Sequence, residues 1–269
     1  MIKHIFSDMD GTILNDEGDI TDRNVQIIKQ TNIPFTLVSA RAPMEMAEVM
    51  DKLALNTPQI GFNGGLIFEK IDQEIQVLDS ESIELATAQK IIQEVRDKFP
   101  QISLSWYSLN NWYTEKHDRG IDLENSYTNL NPEVVTSDDF FTQPNIEVYK
   151  LMLIIFEQTA MQEVKQYLLD QPFSGVSIQQ SSDTYLEITS DKALKSRGIQ
   201  FIIDQEKLEP SDLMAFGDGH NDLPMLQMVD NPVVMKNALP DMLENAKFIT
   251  KSNQEDGVGY ALEHILPEL

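Results

Sequence analysis

Short apolar runs alternate with amphipathic stretches at both ends of the chain. Residues 2–6 read as a buried strand that ends at Ser7-Asp8. Thr21-Asp22 has the character of a helix cap, and Val25, Ile27 and Ile28 follow it. Residues 34–38 form a second predicted strand ending at Ser39, and Pro43 suits the first turn of the next helix. Residues 59–62 and 66–68 are predicted as short strands around the turn Asn63-Gly64-Gly65. Strand and helix in alternation predict an α/β fold with a doubly wound, mainly parallel sheet.

The middle of the chain has another pattern. Residues 84–99 form an amphipathic helix through Leu85, Ala88, Ile91, Ile92, Val95 and Phe99. Strand-like runs follow at 102–107 and 112–114, then an apolar strand at 148–156, a helix at 160–169 and strands at 176–180 and 185–188. Residues 118–144 are rich in Asn, Asp, Ser and Pro and are expected to be loop with little regular structure. From Asp191 the alternation returns. A helix is predicted at 193–205, a buried strand at 213–216 ending in Gly217-Asp218, a helix through Leu226 and a strand at 232–235. The expected organisation is therefore a core made of residues 1–82 and 190–269, with an α+β domain inserted at 83–189.

Composition narrows the function classes. The 269 residues are 41% hydrophobic, enough for real cores in two modest domains. There is no cysteine, which excludes disulfides, thiolate metal sites and cysteine catalysis. No apolar run is long enough to span a bilayer, and no signal-peptide pattern opens the chain, so a cytoplasmic protein is expected. Acidic residues outnumber basic ones 44 to 20, for a formal net charge of -24. Such a field repels nucleic acid and anionic membranes. It repels phosphorylated substrates too, so any anion site must be built locally from a metal, a few cations and backbone N–H groups.

Candidate chemistry sits at two strand ends. Asp8-Met9-Asp10-Gly11-Thr12 follows the first strand directly, where open α/β sheets bind ligands. Gly11 lets the chain turn away without a side chain in the pocket. An Asp-x-Asp alone also fits a calcium loop, a metal–diphosphate clamp or a capped turn. Gly217-Asp218-Gly219-His220-Asn221-Asp222 follows a second buried strand and supplies two more carboxylates on a glycine-containing turn. Four acids on such loops suit a hard cation such as Mg²⁺.

Asp8-x-Asp10-Gly11-Thr12, Ser39-Ala40-Arg41, a helix lysine and Gly217-Asp218-x-x-Asn221-Asp222 together resemble the haloacid dehalogenase superfamily of phosphatases. Their order resembles its Cof-type branch, as do Asn63-Gly64-Gly65 and Glu255-Asp256-Gly257-Val258. The resemblance implies a Rossmann-like core with a large cap that sets specificity, acting on a small-molecule phosphate ester. It implies Asp8 as the nucleophile that forms an aspartyl phosphate and Asp10 as acid and then base. It places Mg²⁺ on the carboxylates of Asp8 and Asp218 and the main-chain carbonyl of Asp10, with Asp222 holding a metal water or supporting the other ligands. Ser39, Ala40, Arg41, Asn63 and Asn221 are carried over as phosphate- or substrate-binding positions. The family more often has Thr-Gly-Arg where this chain has Ser39-Ala40-Arg41; the hydroxyl is kept, and the methyl of Ala40 crowds the phosphate slightly.

Some residues keep two readings. Arg41 is either a surface partner of Glu45 or a substrate contact. The motif lysine is Lys195 by gap-free alignment from both sides, with Lys192 as the fallback. Trp106, Tyr107, Trp112 and Tyr113 are a substrate wall or ordinary packing. The four histidines are poor candidates for chemistry. The leading function is hydrolysis of a sugar phosphate or phosphorylated cofactor; a phosphomutase, or a non-enzymatic metabolite-binding regulator on the same scaffold, are the alternatives.

Overall fold

The computed structural model describes residues 1–72, 74–244 and 246–269. The chain forms two compact units. One comprises Met1–Arg41, Met46–Asp79 and Leu194–Leu269; the other comprises Ala42–Glu45 and Ser80–Ala193.

The first unit is built on a five-stranded parallel sheet in the order Phe248–Ile249, Asn231–Val234, Leu213–Gly217, His4–Ser7, Phe35–Leu37. Strands buried on both faces need continuous apolar sequence, and every residue of His4–Ser7 and Leu213–Gly217 is buried. His4, the first residue of its strand, is polar, as is Ser7 at the other end. The His4 ring stacks on Phe6, and its two nitrogens meet Thr36 Oγ1 at 2.9 Å and Glu206 Oε2 at 3.0 Å. Thr21 caps the helix Asp22–Thr31 by accepting the Asn24 N–H, as its position predicts. One core cluster joins Phe6, Val38, Ile60, Ile199, Ile202 and Leu213. Ser7 lies in register with Phe216 on one side and Leu37 on the other, so the neighbouring strands end level. Asp8 and Asp218 therefore leave the sheet side by side. A smaller sheet orders Gln59–Gly61, Leu66–Ile71 and Glu74–Ser80. The side chains of the last of these are partly or fully exposed, although it carries Ile75, Val77 and Leu78.

The second unit has a six-stranded sheet in the order Val176–Gln180, Tyr185–Ser190, Lys150–Ile154, Ser103–Tyr107, Trp112–Thr114, Glu133–Val134. The pairs are antiparallel except the last. Leu104, Trp106, Leu151 and Leu153 point to one face and pack with Ile91, Val95, Val164 and Leu168 from the helices Leu85–Lys98 and Gln158–Leu169. Strand alternation sends Ser105, Tyr107, Lys150 and Met152 to the other face. The four aromatics thus divide: Trp106 and Tyr113 belong to the apolar core, while Tyr107 and Trp112 stack on each other at 5.8 Å.

Residues 118–144 correct the sequence reading. They contain the helices Arg119–Thr128 and Ser137–Phe140 and the strand Glu133–Val134. The first helix has few apolar residues, but Asp118 caps it through the N–H groups of Gly120 and Ile121. Gly120 gives it close contact with the sheet, since a Cβ there would lie 2.4 Å from that of Ser103. Tertiary contact, not periodicity, holds this helix. The helix predicted at 193–205 starts at Lys195 and ends at Glu206. No helix among the described residues is long and apolar enough to cross a membrane.

Candidate active site

The amide of Asp8 still donates to the Phe216 carbonyl at 3.0 Å, which extends the sheet ladder by one residue and fixes where the carboxylate begins. The chain then turns tightly through Met9–Ile13. Gly11 has φ +74°, and a Cβ there would lie 2.4 Å from Asp218 Oδ2. Only glycine lets the two carboxylate-bearing turns approach this closely. They are tied together where Thr12 Oγ1 donates to Asp218 Oδ1 at 2.9 Å. The second turn is braced by Asp222, whose Oδ2 accepts the amides of Asp218 (3.0 Å) and Gly219 (2.9 Å).

Lys195 enters from the first residue of its helix. Its ammonium donates to Asp8 Oδ1 and, at 2.6 Å, to Asp222 Oδ1, and the residue is 2% exposed. Lys192 has a side chain 69% exposed and lies 3.5 Å from Glu81. Asp8, Asp218 and Asp222 each offer an oxygen within 4.8 Å of the others. Three carboxylates around one ammonium leave negative charge uncompensated, and an all-oxygen set of this kind fits a hard divalent cation. Burial pushes the Asp8 carboxyl up, Asp222 adds to this, and Lys195 opposes it. Burial also works against the Lys195 ammonium, but Asp8 and Asp222 outweigh it and hold the group above the ordinary lysine range. We read the pair as carboxylate and ammonium, since two acids meet the lysine at hydrogen-bond distance. Asp218 is pushed up to about 6 by burial, with Thr12 opposing and Asp222 reinforcing the rise.

The carboxylate of Asp10 stands outside this cluster, its side chain 56% exposed. Arg41 grips it with two nitrogens, Nε at 3.0 Å from Oδ2 and a terminal nitrogen at 2.6 Å from Oδ1. The Ser39 hydroxyl accepts the amide of Arg41 at 3.1 Å and is wholly buried. Ala40, between them, is half-buried. The Asn63 amide donates to the Ser39 carbonyl at 2.8 Å, and its side-chain oxygen lies 3.5 Å from Asn221 Nδ2. Glu45 accepts the Ala42 amide at 2.6 Å. His220, beside the acidic turn, pairs with Asp241 at 2.7 Å on the surface.

Two supporting side chains had no role assigned from sequence. The Thr12 hydroxyl lies within the first motif, so its strand-end position was a usable signal. Asn237, which donates to the Gly11 carbonyl at 2.8 Å, carries none, because it stands 226 residues away.

Residues 5–262 match the haloacid dehalogenase-like hydrolase family. The chain is 28% identical over 98% of both chains to the 5-amino-6-(5-phospho-D-ribitylamino)uracil phosphatase of Bacillus subtilis. Its fold is shared with a haloacid dehalogenase-like hydrolase from Bacteroides thetaiotaomicron, with a TM-score of 0.89 at 23% identity over 98% of this chain and 100% of the other. A Thermotoga maritima protein of known crystal structure gives a TM-score of 0.85 at 25% identity, over 98% and 97% of the two chains. With its acidic turns meeting at two parallel strand ends and a family match over nearly its whole length, the chain belongs to the haloacid dehalogenase-like hydrolases and is one of their phosphatases.

Proposed function

We propose that this protein hydrolyses a small phosphorylated metabolite with Mg²⁺ through a phosphoaspartate on Asp8. The observation that carries the reading is the buried Asp8 carboxylate at the sheet's edge, hydrogen-bonded by Lys195 and within reach of Asp218 and Asp222. Asp8, Asp218 and the main-chain carbonyl of Asp10 would hold the metal, with Asp222 in support. When bound, Mg²⁺ supplies positive charge that offsets the repulsion between an anionic nucleophile and an anionic phosphate.

The chain's own groups do the rest. An Asp8 oxygen attacks phosphorus, the bond from phosphorus to the ester oxygen breaks, and Asp10 gives that oxygen its proton. Asp10 then takes a proton from water as the water oxygen attacks phosphorus, which breaks the bond to Asp8 and releases inorganic phosphate. Lys195 neutralises charge on Asp8 and the phosphoryl group throughout. Ser39 offers its hydroxyl to a phosphoryl oxygen, and the positions around Ala40, Asn63 and Asn221 line the approach. Arg41 orients Asp10 through the paired contact described above. Choice of substrate is assigned to the inserted segment 83–189. A phosphate ester of a polyol or sugar is favoured, in keeping with the phosphorylated ribityl chain that the Bacillus subtilis relative's name specifies.

The test is phosphate release from a panel of sugar, polyol and cofactor monoesters with Mg²⁺, run beside Asp8→Asn. At least one ester should turn over, the variant should be inactive while folded, and a chelator should stop the wild type. Hydrolysis by Asp8→Asn near the wild-type rate would remove the nucleophile assignment.

A further inference from the structure

The turn that carries Asp10 is held at points the chemistry above does not use. Gly11, the next residue, sits at φ +74° where no side chain stiffens the backbone, and Asp10 itself is extended at ψ 123°. Besides Thr12, the Arg41 grip on Asp10 and the Leu14 amide on the Met9 carbonyl at 3.0 Å, this turn is held by contacts from the far end of the chain. Asn237 Nδ2 donates to the Gly11 carbonyl at 2.8 Å, and Asn237 Oδ1 accepts the amide of Asn253 at 3.0 Å. Asn253, 5% exposed, donates onward through its own Nδ2 to the Leu14 carbonyl at 3.1 Å and to Asp16 Oδ1 at 3.0 Å.

The Glu255-Asp256-Gly257 sequence gives this arrangement its footing. The Ser252 hydroxyl donates to Glu255 at 2.8 Å, and Asp256 turns at φ +55° while accepting the Thr21 hydroxyl at 2.6 Å. Gly257 allows the tight return, since a Cβ there would lie 2.2 Å from the Lys251 carbonyl. The segment 252–257 is thus a rigid turn that presents Asn253. Asn237 is the piece between that turn and the turn bearing Asp10. It is exposed, so burial does not explain an amide there; a side chain that both donates and accepts does.

We propose that Asn237 is a positioning residue for Asp10: by tying the Gly11 carbonyl to Asn253, it fixes the Gly11–Thr12 peptide, one residue beyond Asp10, and through it the direction in which the Asp10 carboxyl delivers a proton. The inference rests on the reading of Asp10 as acid and base. Small displacements of a group that must meet one oxygen atom have large kinetic effects, and protonation matters most when the leaving oxygen is a poor leaving group.

The experiment compares kcat on p-nitrophenyl phosphate, whose leaving group needs no proton, with kcat on an accepted alkyl phosphate at saturating Mg²⁺. The variants are Asn237→Ala and Asn237→Asp, with Asp10→Asn as the reference and melting temperature as the check on folding. Asn237→Asp keeps an acceptor for the Asn253 amide and removes the donor to Gly11. Both Asn237 variants should lose about tenfold more on the alkyl ester than on the aryl ester, in the same direction as Asp10→Asn but smaller than the roughly hundredfold or greater loss expected for removing a general acid. Equal losses on the two esters, no loss, or a change confined to KM would overturn the positioning role. If Asp10→Asn itself showed no preference between the esters, the acid–base reading would fall first and the proposal with it.

Discussion

Each unit buries a lysine among acids, and the two lysines are differently satisfied. Lys195, 2% exposed, faces Asp8 and Asp222, with Asp218 close by. Lys150, 4% exposed on the central strand of the second sheet, lies 4.0 Å from Glu45 and over the ring of Tyr107 at 4.5 Å. The nearby Glu124 accepts hydrogen bonds from two neutral phenols, Tyr107 at 3.0 Å and Tyr185 at 2.8 Å. Burial, reinforced by the surrounding glutamates, pushes both phenols well above the ordinary tyrosine range and keeps them donors. Neutral donors let an acid be buried without a cation, at a net gain per bond that is modest but reliable. In the first unit the carboxylates face one another around the Lys195 ammonium, so among the described residues the acids there outnumber the cations that meet them. The same residue types thus make a closed hydrogen-bond network in one place and a site short of positive charge in the other.

The sharpest way to break this comparison is to remove the ammonium. Lys195→Ala should lower kcat/KM by about a hundredfold or more, the scale of losing one electrostatic stabiliser. Lys192→Ala, on the exposed lysine three positions earlier, should lose less than about tenfold. If Lys192→Ala proves the crippled variant, the contacts of Lys195 are structural only.

Supplying positive charge should act the other way. Mg²⁺ at about a hundred times its dissociation constant should stabilise the folded protein by roughly 2.7 kcal/mol, seen as a rise in melting temperature. Asp218→Asn should abolish most of that rise, since it removes one of the carboxylates proposed to hold the ion. An unchanged rise in this variant would place the cation elsewhere.

The smallest effect is expected in the second unit. Glu124→Gln puts an amide where two phenols donate, so one buried donor is left without an acceptor, at about 1–3 kcal/mol. Its melting temperature should fall while the Mg²⁺-induced rise stays as in the wild type. A lost Mg²⁺ response would show that the two networks are coupled.

The motifs were legible because they are local. Asp8, Asp10, Asp218 and Asp222 follow apolar runs that can only be buried strands, and the glycines beside them mark turns a few residues long. A mainly parallel sheet was legible from the alternation, but which strands pair was not; the level register of His4–Ser7 with Leu213–Gly217 is what brings Asp8 to Asp218. Residues 118–144 were not legible, because the helix Arg119–Thr128 owes its stability to Gly120 against Ser103 and to Glu124 under two tyrosines, contacts that leave no periodic trace.

By itself, then, the sequence determined the α/β class, the strand ends at which acids gather and the family those acids resemble, since each depends on neighbours within a few positions. The sequence favoured Lys195 over Lys192, but only the tertiary structure decided that it lies buried against Asp8, that Arg41 grips Asp10, and that Asn237 reaches Gly11 from 226 residues away. Those outcomes depend on burial and on the meeting of distant segments, and a lysine or asparagine reads the same in sequence whether it ends in solvent or against a carboxylate.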